Sequence, residues 1–269
     1  MRLIDLSSPV DASFWEPDPV THTTMSPAEG ARHMQVEMKS HFGIDFPVEM
    51  LPDGEFLNND TLTLTVHTGT HIDAPSHYGS VARYREGGPR TIDELPLDWF
   101  EGPGFLLDLT DSEVGAADAQ QVKEALRRIG YAPAPGDIAL LKTGADRLVG
   151  TPAYFSDFTG LDGSAVHFLL DQGVRVIGTD AFSLDAPFPY ILRTFQETGD
   201  RSVLWPAHLA GREREYCQIE RLANLDELPH PFGFSVSCFP VKIRNAGAGW
   251  ARAVARVDGE PAVTRRSAA

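Results

Sequence analysis

One stretch of this 269-residue chain concentrates residues that do chemistry: Thr65-Val-His-Thr-Gly-Thr-His-Ile-Asp-Ala-Pro-Ser-His77. It holds three of the chain's nine histidines, together with an aspartate, inside eleven residues. A single histidine on a strand needs no function, but three beside a carboxylate form a ligand set. Imidazole nitrogens with carboxylate oxygens suit zinc, manganese or iron better than magnesium or calcium. His67, His71, Asp73 and His77 all occupy odd positions, and in an extended chain positions of one parity share a face. The expectation is therefore a strand running from His67 to Asp73. Gly69 would permit a close approach to its backbone, and Pro75 would end the strand, so that His77 comes from the turn beyond. A divalent metal held there would activate a carbonyl group. A metal-free acid–base pair, His71 with Asp73, is the competing reading. Serine chemistry has less support, because Ser76 stands outside any Gly-x-Ser-x-Gly elbow.

These side chains need elements to position them. Leu62, Leu64 and Val66 alternate with Thr61, Thr63 and Thr65, which predicts a strand whose threonine side continues to His67. Gly104 to Leu109, Ile138 to Lys142 and Val174 to Gly178 read as further strands, as do Phe234 to Ile243 and Ala251 to Val257. Ala119, Val122, Leu126 and Ile129 recur at helical spacing, closed by Gly130. Asp162 reads as the N-cap of another helix carrying Val166, Leu169 and Leu170. Ala28 to Phe42 is a weaker helix. Ser7 to Glu29 reads as an ordered loop, since Pro17, Pro19 and Pro27 fix φ and lack a donor. The fold class is thus mixed α/β in one domain spanning 1–269.

Composition narrows the partners. The formal net charge is −15, with no basic cluster that a duplex nucleic acid would need. No apolar run approaches the roughly 20 residues of a membrane helix, and Met1 to Ser7 does not read as a secretory signal. The expectation is a cytoplasmic protein acting on a small molecule. Cys217 and Cys238, in apolar surroundings, read as reduced structural thiols. Phe14, Trp15, Phe182, Phe188 and Tyr190 are candidate pocket walls, and His22, following the loop around Trp15, is a candidate substrate contact.

His67-x-Gly69-Thr70-His71-x-Asp73-x-Pro75-x-His77 resembles the signature of the cyclase superfamily that includes bacterial kynurenine formamidase and isatin hydrolase. The likeness extends from Ile4-Asp5-Leu6-Ser7 through Leu141 to Gly144 and Gly178 to Asp185, and on to His208, Glu220 and the late strands. It implies a compact swivelling β/β/α domain in a homodimer or homotetramer, with an N-terminal substrate-pocket arm over about 8–40. It implies one or two zinc or manganese ions. His67, His71 and Asp73 would hold the first, and Asp73 would bridge to a second completed by His208 and Glu220. Spacing alone ties neither His208 nor Glu220 to His67. His77 would be the catalytic proton donor and acceptor, and Trp15 would line the substrate pocket with Phe182. The arm around Trp15 and the run Asn245 to Val254 are similar to aromatic polyketide cyclases of antibiotic biosynthesis. That branch implies aldol ring closure with dehydration; the alternative is hydrolysis of a cyclic amide, an ester or an aryl formamide.

Overall fold

The computed structural model describes residues 1–258. The strands in chain order are β1 (Arg2–Asp5), β2 (Thr21–Met25), β3 (Asn59–Thr63), β4 (His71–Asp73), β5 (Glu101–Asp108), β6 (Gly115–Ala117), β7 (Ile138–Lys142), β8 (Thr159–Leu161), β9 (Val176–Thr179), β10 (Cys217–Glu220), β11 (Phe232–Ser237), β12 (Ala248–Trp250) and β13 (Val254–Val257). The helices are α1 (Pro27–Phe42), α2 (Ala119–Ile129), α3 (Gly163–Asp171), α4 (Phe188–Thr198) and α5 (Pro206–Ala210). These elements fall into two compact units, one made of residues 1–10 with 66 onward and the other of 11–65. No helix among the described residues is long and apolar enough to cross a membrane.

The larger unit is built on a nine-stranded sheet of order β1-β13-β11-β5-β7-β9-β10-β4-β12. Its middle, β5-β7-β9-β10, is parallel. Parallel neighbours need long crossovers, which α2 and α3 supply. Such strands are covered on both faces, and their sequences are accordingly apolar throughout rather than alternating. Ile138 and Leu140 enter one core with Leu106, Ile219 and Ile72. Ala139 and Leu141 enter the other with Phe105, Leu107 and the inner faces of α2 and α3. The helix limits follow their caps. Asp118 accepts from Gln121 N and Gly130 closes α2 at φ +67, and Asp162 accepts from Ala165 N at the start of α3. Cys217 and Cys238 are buried free thiols, as expected.

The smaller unit pairs β2 antiparallel to β3 and carries α1, opened by a Ser26–Glu29 capping box. It contains residues 11–40 of the segment expected as an arm over about 8–40, and β2 forms within what reads from sequence as loop.

Several expectations change. The Thr/Leu strand ends at Thr63 and is exposed on both sides, so it does not run on to His67. The late strand expected over Phe234 to Ile243 spans Phe232–Ser237. The strand expected over Ala251 to Val257 is shortened to β13, Val254–Val257, and a separate strand, β12, precedes it at Ala248–Trp250. β10 and α4 had no periodic signal: β10 is a four-residue strand buried throughout, and α4 starts after Pro187 with no side-chain cap.

Candidate metal centre

Strand β4 presents His71 and Asp73 on the same face. It lies between β10 and β12, with His71 opposite Glu220 on one side and Trp250 on the other. The parity reading therefore holds for these two residues, and β10 adds Glu220 through a pairing that joins positions far apart in the chain. It does not hold for His67. Gly69 sits at φ +68, which turns the backbone between His67 and His71, and a Cβ there would lie 2.8 Å from Val10 Cγ2. The turn nevertheless returns His67 to the site, with Nδ1 3.0 Å from Asp73 Oδ1. His77 comes from a turn of 3₁₀ helix, Pro75–Tyr78, as the proline suggested, and its Nε2 is 3.9 Å from Asp73 Oδ2. His208, on α5, brings Nε2 to 3.8 Å from both Asp73 Oδ2 and Glu220 Oε1.

Five side chains, His67, His71, His77, His208 and Glu220, gather around the Asp73 carboxylate, whose side chain is fully buried. His71 Nε2 lies 3.4 Å from Asp73 Oδ1 and 3.6 Å from Glu220 Oε2. Neither His71 Nε2 nor either Asp73 oxygen has a hydrogen-bond partner among the described residues. Buried polar atoms left this way cost about 1–3 kcal/mol each, and a cation among them removes that cost. Two groups have donor atoms all within 4.8 Å of one another: His67, Asp73 and His77, and His71, Asp73 and Glu220. The resemblance instead groups His67 with His71, and His208 with Glu220. The nitrogen and oxygen donors of all six fit a divalent transition cation.

Hydrogen bonds on the far sides of two rings set which nitrogen faces the centre. A carbonyl only accepts, so His71 Nδ1 must donate to Gly69 O at 2.9 Å, leaving Nε2 as the ligand atom. His208 Nδ1 lies 2.5 Å from Asp185 Oδ2, with the same consequence. Asp185 is itself fixed by Ala207 N at 2.7 Å and His208 N at 3.0 Å. Such carboxylate–imidazole pairs orient metal ligands and raise their basicity. Sequence reasoning assigned Asp185 no role; an aspartate in the apolar run Ala181 to Ala186 was the available signal. Replacing Asp185 with Asn should weaken metal binding by about 10–100-fold with the fold retained. Chelator competition read beside circular dichroism checks this.

The charges explain why a cation belongs here. Burial raises the Glu220 carboxyl above its usual range, and repulsion from Asp73 adds to the shift. Burial opposes ionisation of Asp73 too, but the neighbouring imidazoles outweigh it and hold that carboxyl well below the usual range. Burial lowers His208, yet the Asp185 hydrogen bond and charge prevail and bring it up to about 9. His71 is raised against its own burial by Asp73 and Glu220. Burial, aided by repulsion from His67 and His208, takes His77 down to about 4 despite Asp73. Carboxylates that raise His71 and His208 against their own burial organise that part of the site for positive charge.

His67, His77, His208 and Glu220 open onto a cavity of about 510 Å³ that is also lined by Phe182, Phe188 and Trp205. Phe188 packs against Phe182 and Trp205 at ring separations of 5.7 and 5.2 Å. Trp205, not singled out from sequence, takes φ +47 just before α5, a strained conformation for a bulky residue. Of the expected walls, Phe182 and Phe188 are present. Tyr190 faces a different hollow with Asp118 and Pro206, because its position on α4 points it toward Gly115. Trp15, 46% exposed, belongs to the smaller unit. So does His22, whose Nε2 lies 2.8 Å from Asp60 Oδ1.

The fold is mixed α/β, with side chains that could hold a divalent metal beside an aromatic-walled cavity, and comparison with known proteins identifies its family. Residues 4–186 match the model of the family described as "Putative cyclase", and the chain belongs to that cyclase family of enzymes. A kynurenine formamidase from Salinibacter ruber (strain DSM 13855 / M31) is 29% identical over 216 residues, covering 78% of this chain and 84% of the relative. An isatin hydrolase bound to the product analogue thioisatinate superposes with a TM-score of 0.70 at 22% identity, covering 94% of this chain and 91% of the other. Isatin hydrolase A from Ralstonia solanacearum gives 0.69 at 21% identity, covering 96% and 92%.

Proposed function

We propose that this chain is a metal-dependent hydrolase of an aromatic amide, either an aryl formamide or a cyclic amide, working with zinc or manganese. One observation carries the reading: His67, His71, Asp73, His77, His208 and Glu220 converge at an aromatic-walled cavity of about 510 Å³. His67, His71, Asp73, His208 and Glu220 would hold the metal, which when bound supplies Lewis acidity toward a carbonyl and acidifies water. Gly69 O and Asp185 keep the His71 and His208 rings aimed. Phe182, Phe188 and Trp205 take the ring of the substrate and exclude water around it. His77 takes the proton of the attacking water at an imidazole nitrogen, then delivers it to the departing amide nitrogen as the C–N bond breaks. Aldol ring closure would use the same carbonyl polarisation, but the names of the relatives, kynurenine formamidase and isatin hydrolase, support hydrolysis over it.

Purified protein loaded with zinc or manganese should hydrolyse N-formylkynurenine or isatin, lose that activity to a chelator, and regain it on adding metal. Failure on aryl formamides and cyclic amides alike, or turnover indifferent to chelation, would overturn the reading.

A further inference from the structure

Arg212 lines the same cavity as His67, His77, His208 and Glu220, and nothing in the hydrolytic scheme uses it. Its Nε donates to Tyr78 O at 2.5 Å. Tyr78 is itself held, 2% exposed and stacked on Tyr216 at 5.4 Å. The guanidinium lies against Gly79, where a Cβ would come 2.7 Å from Nη2 and 3.0 Å from Cζ. Gly79 also has φ +117, a conformation that only glycine takes readily. The backbone is thus shaped to seat this guanidinium in the cavity wall.

Three nearby arginines are matched with acids. Arg83 pairs with Glu213, Arg90 with Glu215, and Arg214 with Asp171. Those pairings occupy the acidic neighbours Glu213 and Glu215. Among the described residues, no carboxylate forms an ion pair with Arg212. Nε is committed to Tyr78, which leaves the Nη1–Nη2 edge, a planar fork that matches a carboxylate.

We propose that Arg212 binds a carboxylate on the substrate, so that the preferred substrates are aromatic carbonyl compounds carrying an anionic group. The proposal rests on the reading of this cavity as the substrate site. The test is calorimetric titration of the metal-loaded full chain with benzoate and with benzamide. Wild type should bind benzoate tighter by about tenfold or more. In Arg212→Gln the preference should fall to about twofold or less, with benzamide affinity and metal content unchanged. Equal binding of the two probes by wild type overturns the assignment. So does a preference that survives in Arg212→Gln, since the carboxylate would then be held elsewhere, for example on the metal. Should loss of the Tyr78 contact prevent Arg212→Gln from folding, a crystal structure of the wild type soaked in benzoate decides: a carboxylate seated on the Nη1–Nη2 edge supports the assignment, and one seated elsewhere refutes it. A benzoate preference without any amide hydrolysis would sink the hydrolase reading alone. Amide turnover without the preference would sink Arg212 alone.

Discussion

Asp73→Asn is expected to remove the metal and to lower turnover by about three orders of magnitude or more. Asp73 is the one residue that His67, His71, His77 and His208 all approach, at 3.0 to 3.9 Å from its oxygens. Asparagine keeps its volume in a fully buried position, so the fold should survive. The amide, however, offers one neutral oxygen in place of a charged bidentate group. Lewis-acid assistance worth about 4 kcal/mol corresponds to about 10³ in rate. Stability should respond differently in the two metal states. Without metal, the variant loses the attraction of the imidazoles for Asp73, which outweighs its repulsion from Glu220, so it should melt below the wild type. With metal at about 100 times the dissociation constant, wild type should gain about 2.7 kcal/mol and the variant nothing. Thermal melts with and without zinc, alongside the rates, check both parts.

Gly160→Ala should cost about 3 kcal/mol or more and should weaken the metal site without touching it. A Cβ on Gly160 would lie 2.2 Å from Asp185 C, 2.3 Å from Asp185 O and 2.4 Å from Ala186 N. All three are backbone atoms, so no rotamer relieves the clash, and overpacking of this kind typically costs about 1–3 kcal/mol or more. The backbone that must yield carries Asp185, and Leu161 is tied to it by a bond to Leu184 O at 2.7 Å. Displacing Asp185 releases the His208 ring. The melting temperature should fall by roughly 6–12 °C, taking about 2–4 °C per kcal/mol for a domain of this size, and metal affinity should drop with it. Gly130→Ala is the control: it has φ +67 but nothing within 4 Å of the added carbon. It should cost only about 1 kcal/mol of conformational strain and leave the metal alone. Equal effects from the two substitutions would contradict the account of Gly160.

The contrast between these glycines shows what the chain discloses before it folds. Gly130 closes α2 after a clear helical period and an Asp118 cap, a local event written in adjacent residues. Gly160 is needed only because β8 meets the segment around Asp185, and nothing near it in sequence says so. The metal motif divides the same way. His71, Asp73 and the Pro75 turn are legible because strand parity and proline geometry are local rules. His67 carries the right residue type in the wrong conformation, since a turn at Gly69 interrupts the expected strand. Glu220 and His208 reach the site through the pairing of β10 with β4 and the placement of α5. Without the family likeness, both look like ordinary polar residues. Arg212 and Asp185 lie further still from sequence reasoning, because their meaning depends on which neighbours lack or provide a partner.

The most direct test of the central claim is a crystal structure of protein purified without chelator, with anomalous data collected at the zinc and manganese edges. The account predicts a stoichiometric peak among His67, His71, Asp73, His208 and Glu220. No peak there after soaking in either metal, in a folded protein that still hydrolyses its amide substrate, would contradict it.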